Sequence, residues 1–136
     1  MASISTMTGG LSSMNNRAFS PRPRRGEVWL VALGAARKGE IGKTRPALVI
    51  SVDGLQANTP YDRITVVPFT TNARQRPNRI QPRVPAGQGL ERESVVLCDA
   101  PRAIVPSRFL RRLGLVSDDV FEQVIEARSF VEGWDD

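Results

Sequence analysis

Three nearly continuous apolar runs dominate the first half of the chain: Val28-Trp29-Leu30-Val31-Ala32-Leu33, Ala47-Leu48-Val49-Ile50 and Ile64-Thr65-Val66-Val67-Pro68-Phe69. Runs this short, bounded by turn residues, read as strands covered on both faces. The second strand is predicted over residues 46–51, with Pro46 at its start, where a missing N–H does least harm. The third is predicted over residues 63–69. Between the runs lie residues 34–43, with three glycines and mixed charge, and residues 52–61, which contain Asp53-Gly54 and Asn58-Thr59-Pro60. Both are loops by their turn chemistry.

The second half is less regular. Ile80, Pro82 and Val84 alternate with polar neighbours, a weak edge-strand pattern. Gly87 and Gly89 mark a turn, and buried strands are predicted over residues 94–98 and 103–105. Residues 107–113 read as a short helical turn closed by Gly114. Ser117 is a good N-cap, and Asp118 and Asp119 sit where a helix dipole favours acids. Val120, Phe121, Val124, Ile125 and Val131 then recur at helical spacing up to Gly133. The strands are too close together for connecting helices, so consecutive strands are expected to pair antiparallel. The predicted fold is mostly β: a small, strongly bent antiparallel sheet or half-open barrel with a C-terminal helix packed on it.

Composition narrows the function. At 136 residues the chain is expected to form one domain. No apolar run approaches the length of a membrane span, and the N-terminus lacks the layout of a secretory signal. Cys98 is the only cysteine and there is no histidine. A cytoplasmic setting, no disulfide, no metal site and no cofactor are the expectations. Residues 1–24, rich in Ser, Asn, Gly, Pro and Arg, are predicted to be a disordered arm, and residues 25–136 the folded body. Met7-Thr8-Gly9-Gly10 resembles part of an expression leader. Most of the formal charge of +5 resides in the N-terminal stretch: residues 1–25 carry Arg17, Arg22, Arg24 and Arg25 without an acid, leaving 15 basic and 14 acidic residues in a nearly neutral body. Within the body, Arg74, Arg76, Arg79 and Arg83 fall in an acid-free stretch.

The candidate chemistry lies at strand ends. Gly42-Lys43-Thr44-Arg45-Pro46 leads into the second strand, and Thr70-Thr71-Asn72 leaves the third. If those ends lie side by side, Arg45 and Thr70 face one small site. A guanidinium grips phosphate oxygens with a planar fork but is a poor proton acceptor. A threonine hydroxyl donates one further hydrogen bond. The basic stretch just beyond Thr70 would hold flanking phosphates. Such a set suits a bound phosphate group held by charge and hydrogen bonding.

The ordered motifs Arg25-Gly26-Glu27-Val28-Trp29, residues 42–51, Val66-Val67-Pro68-Phe69-Thr70-Thr71-Asn72, and Gly89-Leu90 leading to Ser94-Val95-Val96 resemble the MazF/PemK family of toxin endoribonucleases. The resemblance covers about residues 24–132. It implies an SH3-like small β-barrel, a homodimer, metal-independent cleavage of single-stranded RNA, and neutralisation by a MazE-like antitoxin. It implies that Arg45 and Thr70 are the catalytic pair. Lys38-Gly39-Glu40-Ile41 corresponds to one substrate-contacting loop, and Thr71, Asn72 and Arg74 begin a second; Gly39, Glu40, Lys43, Thr71, Asn72, Arg74 and Arg76 are candidate RNA contacts. Asp99 and Arg102 match a further motif and are candidate RNA contacts, whereas Ala100 and Pro101 between them depart from the family pattern. Base recognition would rest on polar groups such as Asn72, Gln75 and Glu40, with Phe69 and Tyr61 as candidate stackers and Trp29 in the core. Two other readings use the same scaffold: a gyrase inhibitor like the CcdB proteins, echoed faintly by Gly133-Trp134, and a non-cleaving RNA- or antitoxin-binding module.

Overall fold

A computed structural model describes residues 22–34, 43–53, 63–72 and 78–134. The strands are β1 (Glu27–Ala32), β2 (Thr44–Val49), β3 (Ile64–Thr70), β4 (Arg83–Val84), β5 (Ser94–Val96), β6 (Arg102–Ile104) and β7 (Phe109–Leu115), and the helix is α1 (Asp118–Val131). The sheet runs β4-β5-β3-β2-β1-β7, with β6 also on β3, and every pairing is antiparallel. No helix among the described residues is long and apolar enough to cross a membrane.

The apolar runs are continuous because the central sheet has a core on each face. Register aligns Val28 with Leu48 and Leu48 with Val67, and these pack with Phe69, Val96, Val120, Val124 and Ala127 against α1. Their neighbours Trp29, Val31, Ala47, Val49, Ile64 and Val66 point the other way, into a second core closed by Ile104 and Phe109. Trp29 meets Phe109 edge-to-face, ring centroids 6.0 Å apart.

Three expectations need correction. β2 starts earlier than predicted, and Pro46 lies inside it, on the stretch flanked by β1 before the β3 pairing begins. Consecutive strands do not always pair: β3 pairs β6 through Ile64–Val66 and β5 through Phe69–Thr70. Pro68, which has no N–H to offer a ladder, sits at that change of partner, and its carbonyl accepts from Leu97 N–H at 2.8 Å. Finally, residues 107–113 are not a helical turn. Pro106–Arg108 form one 3-10 turn, and Phe109–Leu115 is a seven-residue strand on the outer edge of β1.

The barrel remains half-open, but its ends meet. The strand path ends at β4 and β7 without a ladder between them. Instead the turn before β5 presses on β7. Gln88 Oε1 accepts from the Ser117 backbone N–H at 2.6 Å, and Gly89 and Gly114 pack backbone to backbone.

Ser117 caps α1 as its sequence predicts: its hydroxyl oxygen accepts from Val120 N–H at 3.2 Å, with Asp118 and Asp119 in the first turn. We expect Ser117→Ala to cost about 1 kcal/mol. Urea titration should show a lower midpoint at an unchanged slope. The chain just before β1 is latched down as well. Pro23 is buried, Arg24 N–H donates to Glu27 at 2.8 Å, and the Arg25 guanidinium lies over the Phe121 ring while donating to the Ile50 carbonyl.

Cys98 is fully buried beneath α1. Burial pushes its thiol up from 9.0 to about 12; nearby Arg128 opposes the shift and Asp99 adds to it. The native thiol therefore stays protonated and should react with iodoacetamide at pH 8 far more slowly than in urea, as followed by mass spectrometry. Because the unfolded thiol ionises first, its contribution to stability is complete below pH 9 and declines as pH rises towards 12.

Candidate active site

The site is built where β2 begins and β3 ends. The β2–β3 register pairs Ala47 with Pro68 and Leu48 with Val67; continued two residues outwards, it sets Arg45 opposite Thr70. β1 holds the other side of Arg45, through the Val31 pair, and β5 holds Thr70, through Val95. In an antiparallel pair, directly opposed side chains share a face. Both residues therefore project from the same side of the sheet.

Arg45 is half-buried, and its Nη1 lies 3.5 Å from the Phe69 carbonyl. Thr70 is 9% exposed. Its Oγ1 accepts from Asn72 N–H at 3.1 Å, a turn closed by the hydroxyl oxygen. Accepting there orients Oγ1 and leaves its O–H hydrogen available for a ligand oxygen. Arg45, Pro46, Phe69, Thr70, Thr71, Asn72 and Ser94 line one cavity of about 340 Å³. That is roughly the space of ten waters, enough for a phosphate group with its attached ribose. Arg45 is the only charged side chain among the described residues lining it.

From sequence alone, Ser94 falls in a strand motif and has no part in the site. It opens β5, is 4% exposed, and donates to the Arg92 carbonyl at 3.0 Å. A hydroxyl at the head of an apolar strand was the available signal.

The other candidates are dispersed. Lys43 is exposed at the start of β2, with left-handed φ 66°. Asp99 is exposed beyond β5 and accepts from Gln81 Nε2 at 2.9 Å. Arg102 donates through Nη2 to the Leu33 carbonyl at 3.1 Å. None of these three lines the cavity. Phe69 is 2% exposed and belongs to the core beneath α1, so its ring cannot stack on a base. Gly39, Glu40, Arg74, Arg76, Gln75 and Tyr61 lie outside the described residues. No three His, Cys, Asp or Glu side chains gather in a metal-binding group among the described residues.

The sequence pattern of the PemK-like, MazF-like toxins of type II toxin–antitoxin systems matches residues 24–128. The chain is 37% identical over 110 residues to Endoribonuclease MazF9 of Mycobacterium tuberculosis, covering 76% of this chain and 91% of that protein. Its fold is similar to the crystal structure of MazF from Deinococcus radiodurans, with TM-score 0.66 and 29% identity over 82% of this chain and 97% of that one. It is also similar to a chain of the Deinococcus radiodurans MazE–MazF complex, with TM-score 0.62 and 27% identity over 82% and 96% of the two chains.

Proposed function

Because the chain belongs to the PemK-like, MazF-like family of type II toxin–antitoxin toxins, and its curated relative is an endoribonuclease, we propose that it is a toxin that cuts single-stranded RNA at the Arg45–Thr70 cavity. The observation that carries this reading is that Arg45 and Thr70, set opposite each other by the β2–β3 register, line one cavity with Pro46, Phe69, Thr71, Asn72 and Ser94. The 2′-hydroxyl of the scissile nucleotide attacks phosphorus, and the bond to the 5′-oxygen breaks. Products are a 2′,3′-cyclic phosphate and a 5′-hydroxyl end. The nucleophile's proton passes to solvent, and the departing 5′-oxygen takes one from solvent. Arg45 offsets part of the negative charge on the non-bridging oxygens, which grows from one unit towards two as the pentacovalent state forms, and Thr70 donates to one of those oxygens. Thr71 and Asn72 border the same cavity and would contact the adjoining nucleotide.

The gyrase-inhibitor reading is not favoured, since the matched family is the MazF-like one. A MazE-like antitoxin is the proposed neutraliser, a reading supported by the similarity to a chain of the Deinococcus MazE–MazF structure, and the working form is proposed to be a homodimer in the cytoplasm, where its RNA is. The reaction is proposed to need no metal or cofactor.

We expect an in vitro transcript of mixed sequence to be cut in EDTA, while the same strand with 2′-deoxy sugars stays whole. Cleavage of the deoxy strand would overturn the 2′-hydroxyl route; loss of all cleavage in EDTA would overturn metal independence. RNA binding without scission would leave only the binding-module reading.

A further inference from the structure

Two arginines from distant parts of the chain converge on the end of β1. Arg102, on β6, donates to the Leu33 carbonyl at 3.1 Å, and Arg108, from the 3-10 turn before β7, donates to the Ala32 carbonyl at 3.3 Å. The two come from opposite flanks: β6 lies beyond β3, β7 outside β1. They meet at the stem from which the chain leaves the sheet. The stem continues the β1–β2 hairpin past the Ala32–Thr44 pair: Leu33 N–H donates to the Lys43 carbonyl at 2.8 Å, and Lys43 N–H donates to the Gly34 carbonyl. It is a strained stem. Gly34 has φ 85° and Lys43 has φ 66°, and a lysine pays a steric cost in that region. A Cβ on Gly34 would lie 3.5 Å from Arg108 Nη1, so the guanidinium is packed against Gly34.

We propose that Arg102 and Arg108 form a clamp that positions Arg45 through this stem. Arg45 follows Lys43 by two residues and pairs with Val31 on β1, next to the clamped Ala32 and Leu33. The β1–β2 register at this end decides where the Arg45 guanidinium stands in the cavity. Charge-assisted bonds to two successive carbonyls hold that register against the left-handed strain. A displacement near 1 Å at a reacting group costs on the order of 10²-fold in rate. Both arginines are positioning residues; for Arg102 this role replaces the RNA contact expected from sequence.

The inference rests on Arg45 as proposed above. The test compares the unaltered protein with Arg108→Ala, Arg108→Lys and the Arg102→Ala/Arg108→Ala pair on a mixed-sequence transcript, measuring kcat and KM across a salt series. Arg108 is exposed, so Arg108→Ala should fold even if the double variant does not. A clamp predicts kcat at least about 10-fold lower in Arg108→Ala, with KM within about 2-fold and partial recovery in Arg108→Lys. The slope of log KM against log salt should not change. A direct phosphate contact would instead raise KM and flatten that slope by about 0.7 per lost charge, and that outcome overturns the clamp, as does unchanged kcat. Arg45→Ala in the same assay separates the two failures. If it cuts normally, the proposed function falls and the clamp with it; if it is inactive while Arg108→Ala is normal, the clamp alone falls.

Discussion

Arg45→Ala should lose at least about 10²–10³ in kcat on single-stranded RNA, the scale of removing one preorganised donor from a site of developing charge. The loss is expected to fall at or beyond the upper end of that range. Arg45 is the sole formal charge among the described residues lining the cavity, and no imidazole exists anywhere in the chain to share the load. Arg45→Lys should recover little, because an ammonium is a point charge and cannot present two parallel donors to two oxygens. Thr70→Val keeps the branched shape of a nearly buried side chain and removes only the hydroxyl. It should lower kcat by about 10² with KM nearly unchanged, the pattern of a contact made chiefly in the transition state. Thr70→Ser should restore most of it. Single-turnover cleavage of end-labelled RNA reads all four variants. A fully active Arg45→Ala would remove the basis for placing the chemistry at this cavity.

That site was legible because it depends on strand ends, and the strands announce themselves. Val28, Leu48 and Val67 against Trp29, Ala47 and Val66 form two interleaved sets. Once β2 and β3 are antiparallel neighbours, the positions of Arg45 and Thr70 follow from register. Ser94 was harder to see: a serine before an apolar run looks like a strand opener until β5 is known to flank Thr70. β7 was misread for a different reason. Its pairing with β1 shifts register between Val28 and Trp29 and again between Leu30 and Val31. Two irregularities erase the alternation that identifies a strand. Leu110, Leu113 and Gly114 then mimic a short helix with a glycine stop. The clamp arginines were illegible for a related reason, since their carbonyl partners lie 69 and 76 residues away.

Gly114 turns that misreading into a measurable quantity. A Cβ there would stand 2.7 Å from the Gln88 carbonyl carbon and oxygen and from Gly89 N, all of them backbone atoms that no rotamer change can move aside. Gly114 is not among the positive-φ glycines, so its substitution probes contact alone. Gly87 is the converse: φ is 99°, and nothing lies within 4 Å of an added Cβ. Gly89 combines both, with φ 99° and a Cβ only 2.9 Å from Gly114 N and the Leu113 carbonyl carbon. Gly87→Ala should therefore cost about 1 kcal/mol in backbone strain. Gly114→Ala should cost about 1–3 kcal/mol in overpacking, and Gly89→Ala more than either. Thermal and urea unfolding should rank them in that order, with Tm falling by several degrees for each kcal/mol in a domain of this size. The ranking matters because the two ends of the strand path share no ladder. If Gly114→Ala were as stable as the unaltered protein, the backbone contact could not be what brings the open sheet round towards a barrel, and the Gln88–Ser117 bond would have to do so alone.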